Sequence, residues 1–228
     1  MSFPAVQSAA RRLVFAIFAV LPVLAVADGQ VRPLPDPQTG TAKGEASPQT
    51  VVFTGGCFWG VQAVFQQLKG VVSATTGYAG GALKSPSYAQ VGMGNTGHAE
   101  SVQVVFDPAQ ISYGQLLKVF FAVAHDPTEL NRQGPDSGTQ YRSAVFATTA
   151  EQQRVAASYV RQLETAQIFR SPIVTEVSRL SAFHPAEAYH QNYVARHPDS
   201  LYVRINDLPK LAHLQETFPQ LIKTADKP

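Results

Sequence analysis

The chain has 228 residues, 45% of them hydrophobic, enough to fill the core of one ordinary domain with extra segments beside it. Its formal charge is +2, but Arg11 and Arg12 supply both units, and the remaining 16 basic residues balance 16 acidic ones. That balance excludes a nucleic-acid track or an anionic membrane surface as partner, since both require clustered Lys and Arg.

Residues 1–27 have the parts of a secretory signal peptide: Arg11 and Arg12, an apolar run over 13–26, and Ala25, Val26 and Ala27 as a small-residue cleavage site. The run is shorter than the roughly 20 residues that span hydrocarbon, and Pro22 interrupts it, so no stable membrane insertion is expected after cleavage. Export, to the periplasm, is the expectation, with Asp28 as the mature amino terminus. Residues 28–49 carry Pro33, Pro35, Pro37 and Pro48 among glycines and few apolar side chains, and read as a linker. Residues 50–220 form the expected catalytic domain and 221–228 a tail.

Residues 50–54 are a short β-rich run, Gly55 and Gly56 turn the chain, and 57–68 show apolar residues at helical spacing, with Cys57 opening the helix. Residues 71–76 read as a strand followed by a Gly-rich loop. Residues 98–106 alternate, placing Glu100, Val102, Val104 and Phe106 on one face. Ser112 with Gln115 starts a helix to about residue 125; Thr148 with Glu151 forms a capping box for another to about 168. Strands are expected over 142–148 and 173–180, and helices over 185–196 and 208–218. Interleaved strands and helices give an α/β (α+β) class, with helices packed on a mixed sheet as a two-layer sandwich.

Cys57 is the only cysteine. A lone cysteine is often an inert, buried hydrophobe. Here it follows a strand and a double-Gly turn and sits in the first helical turn, where unpaired N–H groups and the helix dipole favour an anion, so a lowered thiol pKa is expected. Phe58 and Trp59, either core aromatics or the walls of an apolar slot, stand beside it. Glu100, at the edge of an apolar layer, would keep a proton near neutral pH; facing water, it would not. His184, His190 and His197 do not put two imidazoles on adjacent helical turns, so they are read as structural or surface residues, with no metal. The Gly-rich stretches lack the Gly-Lys-Ser/Thr ending of a phosphate loop, and no nucleotide site is indicated.

GCFWG at 56–60 resembles the nucleophile signature of A-type peptide methionine sulfoxide reductases. The resemblance continues through GYAGG at 77–81, SYAQV at 87–91, TGHAE at 96–100, HDPTELNRQGPDSGTQYRS at 125–143 and AEAYHQNY at 186–193, covering about residues 51–219. It implies Cys57 as nucleophile, Phe58 and Trp59 as the methyl-binding wall, and Glu100 as the acid that protonates the sulfoxide oxygen. It also implies that Tyr88 and Tyr141 offer hydroxyls to that oxygen, that Asp136 lines the same site, and that the S epimer is reduced. Many relatives carry resolving cysteines near the carboxy terminus; residues 198–228 have none, and Gly92 and Met93 stand where relatives often have Cys and Ser. An internal disulfide is therefore impossible. The implied partners are oxidised proteins or peptides containing methionine sulfoxide, and an external thiol (thioredoxin-like, glutaredoxin with glutathione, or a small thiol) that reduces a Cys57 sulfenic acid, with no bound cofactor. A thiol peroxidase, a cysteine hydrolase and an exported domain with an inert thiol are the alternatives.

Overall fold

The computed structural model describes residue 1 and residues 33–40 and 47–224. The chain divides into two compact units, Met1–Arg32 and Pro33–Pro228, and every strand and helix named here lies in the second. The expected signal peptide lies outside the described residues, apart from Met1.

β1 (Gln49–Thr54) ends at the Gly55–Gly56 turn, and α1 (Phe58–Gln66) follows with Cys57 at its N-cap. β2 (Val71–Ala79), the short α2 (Tyr88–Gly92) and β3 (Ala99–Phe106) come next. α3 (Tyr113–Val119) begins with the expected capping box of Ser112 and Gln115, and continues as a π-helical turn, Phe120–Ala124. A two-stranded ribbon of β4 (Arg132–Gln133) and β5 (Asp136–Ser137) leads to a 3-10 turn at Thr139–Tyr141. β6 (Ala144–Ala147), α4 (Ala150–Thr165), β7 (Glu176–Arg179) and β8 (Phe183–Pro185) complete the sheet. The chain then runs through α5 (Tyr193–Arg196), a π-helical turn at Val203–Asp207 and α6 (Leu208–Thr217).

The six-stranded sheet has the order β7-β6-β1-β3-β2-β8, antiparallel except for the parallel β6–β7 pair. Alternation along β1 and β3 sends Val51, Phe53, Val102, Val104 and Phe106 to one face, where α1, α3, α4 and α6 bury them in the main core. The opposite face holds a small cluster of Val52, Ala79, Ala144 and Phe146, capped by Leu180 and Phe183. This is the expected α/β sandwich. Among the described residues, no helix is long and apolar enough to cross a membrane.

Local readings are corrected in three places. The helix expected over 185–196 is broken, because Asn192 turns left-handed at φ 56 and the side chains around it serve other elements. Gln191 Nε2 donates to the carbonyls of Thr76 and Ala186, and the Asn192 N–H donates to Gln62 Oε1. The cap of α4 is one residue later than expected: Thr149 Oγ accepts the Gln152 N–H, while Thr148 Oγ donates to the Thr50 carbonyl instead. Residues 33–40, within the expected linker, lie packed on the domain. Tyr159 donates to the Pro35 carbonyl at 2.8 Å, Lys118 pairs with Asp36 at 2.7 Å, and the Gly114 N–H donates to the Gly40 carbonyl at 2.8 Å.

Candidate active site

The core of the sheet ends at Cys57. Gly56 carries φ 84, a left-handed turn that brings the chain off β1 and starts α1 at once. Its N–H donates to the Tyr141 carbonyl at 3.2 Å, which ties the turn before the cysteine to the 3-10 turn of Thr139–Tyr141. Cys57 is 9% exposed.

Glu100 lies on β3 with the core-facing residues, as its alternation predicts, and is 3% exposed. Its Oε2 accepts the Phe58 N–H at 3.0 Å, so the carboxyl stands against the first turn of α1 beside Cys57. Burial pushes its pKa up to about 8; the Phe58 hydrogen bond opposes this and the charge of Asp136 adds to it. A carboxyl in this state carries its proton at neutral pH.

The expectation of a lowered thiol pKa is overturned. Burial raises the Cys57 thiol well above its ordinary value and the neighbouring Glu100 charge raises it further, outweighing the Trp59 amide that faces the sulfur. A helix N-terminus stabilises an anion through a few aligned amides. It cannot replace the water that burial strips from a thiolate.

Phe58 is buried, with its ring 5.1 Å from that of His190 and 6.5 Å from that of Tyr88. Trp59 is half-buried and fixed on three sides. It stacks on Tyr193 at 3.7 Å and 8°, meets Tyr202 edge-on at 5.8 Å, and donates from Nε1 to His190 Nδ1 at 3.1 Å. His190 is 2% exposed and its pKa is lowered by burial, so the ring is neutral and Nδ1 is free to accept. Tyr88 and Tyr141 approach the same space: burial raises both phenols, Tyr88 to about 12, and the charges of Glu100, Asp136 and Cys57 act on each. The Tyr88 N–H donates to Glu187 Oε1 at 2.9 Å, and Tyr78 donates to Glu187 Oε2 at 2.8 Å, so one carboxylate braces α2 against β2. Asp136, on β5, accepts from the Tyr202 hydroxyl.

All seven residues singled out in the sequence, Cys57, Phe58, Trp59, Tyr88, Glu100, Asp136 and Tyr141, therefore converge. Four contributors were missed. Glu187, His190 and Tyr193 lie in the AEAYHQNY stretch, where the irregular turn, rather than helical spacing, aims them at the site. Tyr202, which hydrogen-bonds Asp136 and faces the Cys57 sulfur, lies in a segment without a motif. The three histidines do not meet: His184 packs edge-on against His98, His197 against Tyr193, and His190 holds Trp59.

A nucleophilic sulfur, a proton-bearing carboxyl and an aromatic wall in one enclosure point to a redox reaction at an uncharged oxidised group. The family model for peptide methionine sulfoxide reductase matches residues 49–222. The chain belongs to that family. A relative called peptide methionine sulfoxide reductase MsrA 2, from Synechocystis sp., is 51% identical over 188 residues, spanning 82% of this chain and 86% of the relative. Peptide methionine sulfoxide reductase MsrA of Deinococcus radiodurans is 50% identical over 179 residues, 78% of this chain and 86% of its own. Among solved structures, methionine sulfoxide reductase A of Corynebacterium diphtheriae superposes with a TM-score of 0.60 at 35% identity, covering 74% of this chain and 84% of that one. Mxr1 of Saccharomyces cerevisiae in reduced form gives 0.62 at 32%, covering 68% and 88%. The reductase family and the fold thus agree over the same stretch of chain.

Proposed function

We propose that this reductase repairs oxidised proteins by converting methionine S-sulfoxide to methionine, with Cys57 as nucleophile and Glu100 as acid. The observation that carries the assignment of roles is the buried Glu100 carboxyl, still protonated near neutral pH and bonded to the residue after the only cysteine. The sulfoxide methyl group lies against Phe58 and Trp59, and its oxygen faces Glu100, Tyr88 and Tyr141. The sulfur of Cys57 attacks, Glu100 gives its proton to the oxygen, and the proton of the thiol restores Glu100. The S–O bond of the substrate breaks, methionine leaves, and Cys57 holds the oxygen as a sulfenic acid. No group besides these side chains is needed. A rigid aromatic wall on one side of the attacking sulfur admits one epimer, since the mirror arrangement turns the methyl group into polar side chains.

With no second cysteine in the chain, an external thiol removes the oxygen. Export by the leader over residues 1–27 and work in the periplasm belong to the same proposal, supported by the charged pair, the apolar run and the Ala25-Val26-Ala27 site. The test is a single turnover without reductant, using peptides that carry separated S and R sulfoxide epimers and, in parallel, hydrogen peroxide. One methionine per enzyme and one added oxygen on Cys57 are expected from the S epimer only. Equal reaction with both epimers, or oxidation by peroxide without methionine formation, would sink the proposal.

A further inference from the structure

The helix that brings Tyr202 to the site has an apolar outer face. Residues 201–217 are helical without a break, the π-helical turn Val203–Asp207 leading directly into α6. Tyr202 turns inward to Asp136 and the Cys57 sulfur, and Val203 and Asp207 are buried. The outward positions of such a helix are ordinarily polar, yet Leu201, Ile205 and Leu208 are 70%, 62% and 37% exposed. Their spacing of four and then three residues aligns them in one stripe. Apolar side chains scattered singly over a surface are ordinary; three in line beside a reactive sulfur are not.

The stripe is continuous with the substrate site. Ile205 lines a crevice of about 260 Å³ whose walls include Cys57, Asp136 and Tyr202, so the site opens from the sulfur onto the middle of the stripe. From Leu201 to Leu208 the helix rises about 10 Å, the length of about three residues of extended chain. The apolar area that these three side chains expose is on the order of 300 Å², well short of the roughly 800 Å² per partner of a stable interface between folded proteins. A short stretch of extended chain fits the stripe; a folded partner or a second copy does not. The charges agree with an uncharged occupant. Asp126 and Asp136 outnumber Lys210 on the crevice walls, and Lys210 already faces the buried Asp207 across Gly60, where a β-carbon would touch both. An acidic segment is therefore repelled.

We infer that this stripe binds the polypeptide that carries the methionine sulfoxide, taking apolar side chains that lie within about three residues of it. The inference rests on the sulfoxide reading above and narrows its substrate class to segments whose oxidised methionine stands among apolar neighbours. Ile205 meets the nearest neighbour, and Leu201 and Leu208 extend the contact to either side. Such segments are buried in folded proteins, so they reach the stripe after local unfolding, and the enzyme selects damaged chains that have already opened.

The experiment uses the full-length protein and three S-sulfoxide peptides of equal length, which differ only in carrying Leu, Ser or Glu at the first and third positions on each side of the sulfoxide. N-acetylmethionine S-sulfoxide is the probe without flanks. Methionine formation in single turnover without reductant gives a second-order rate constant for each, so no docking of a reductant enters the result. The Leu peptide should react about tenfold faster than the Ser peptide, the effect of burying about one large apolar side chain, and the Glu peptide more slowly than either. Leu201→Ser, Ile205→Ser and Leu208→Ser combined, all at exposed positions, should bring the Leu-to-Ser ratio near one. Val72→Ser should retain it: Val72 is 63% exposed, but it lies at the start of β2, whose far end pairs with Glu100. The same peptides are titrated onto Cys57→Ser with and without the three substitutions, read by the fluorescence of Trp59, the only tryptophan, and the same preference in affinity is expected. A ratio near one in the parent, or one unchanged by the three substitutions, overturns the inference. So does a triple variant that keeps the peptide ratio and loses only turnover by a dithiol protein or self-association. If no probe yields methionine while the affinity preference appears and vanishes with the stripe, the sulfoxide reduction fails and the docking surface stands.

Discussion

Glu100→Gln tests whether the buried carboxyl has been placed for chemistry at the expense of stability. Its pKa moves from an ordinary 4.5 to about 8 on folding. Between those values the unfolded chain has released the proton and the folded chain keeps it, so wild-type stability falls as pH rises through that window. At about 1.4 kcal/mol per unit, the loss between about pH 5 and about pH 8 is on the order of 3 kcal/mol. Glutamine keeps one side-chain oxygen that can accept the Phe58 N–H in place of Glu100 Oε2 and carries no charge to bury. The variant should therefore match the parent near pH 5 and exceed it in denaturant midpoint near pH 8. Other groups titrate alike in both proteins and cancel in the difference. In single turnover the same variant should lose ~100-fold or more of its sulfoxide reduction rate, because the oxygen leaves without a proton, while alkylation of Cys57 is spared that loss. A stability gap that does not change with pH, or equal losses in reduction and alkylation, would refute the reasoning.

Cys57→Ser should fold as the parent does and lose all but a trace of activity, since a hydroxyl here is neither ionised nor comparably nucleophilic; residual turnover above about a tenth would remove Cys57 from its role. Tyr193→Leu removes the 3.7 Å stacking partner of Trp59 and should raise KM and weaken the preference between epimers more than it lowers kcat, read from steady-state kinetics on each epimer. Gly60→Ala drives a β-carbon into Asp207 and should lower stability by about 1–3 kcal/mol, measured by urea unfolding. Expression with the native leader should yield a mature protein beginning at Asp28 outside the cytoplasm, which intact-mass measurement of the periplasmic fraction decides.

What the sequence made legible is what depends on neighbours along the chain. Alternation at Glu100, Val102, Val104 and Phe106 is a two-residue period, and all four side chains are buried. The Ser112–Gln115 box closes within one helical turn, and Cys57 at the start of α1 follows from the Gly-Gly turn before it. Features set by distant partners were not legible. Residues 185–196 have helical spacing, but Glu187, Gln191 and Asn192 find their hydrogen bonds on α1, β2 and α2, and those bonds outweigh the local preference. Tyr202 reaches Asp136 across 66 positions, a contact that no local pattern announces. The direction of the Cys57 shift depended on a competition between the helix terminus, which sequence reveals, and burial, which it does not.

That reversed shift changes how the chemistry must run. A thiol of depressed pKa would stand ready as thiolate beside Glu100, and the two negative charges would oppose each other whenever the carboxyl ionised. Burial raises both groups instead, so near neutral pH the site holds two protons, one on sulfur and one on oxygen. Reduction of a sulfoxide consumes no net proton when the product is a sulfenic acid: the acid supplies one to the departing oxygen and regains one from the thiol. A high thiol pKa is no obstacle to that exchange, and it favours it in one respect, since the sulfur freed as its proton moves is more nucleophilic than a thiolate stabilised in advance. The rate of this half-reaction should then stay level across neutral pH and decline as Glu100 loses its proton near about pH 8, a limit that Glu100→Gln abolishes along with most of the rate. A profile that instead rises with pH as the thiol ionises would show attack by a preformed thiolate, and would shift the acid's role from Glu100 to the phenols of Tyr88 and Tyr141.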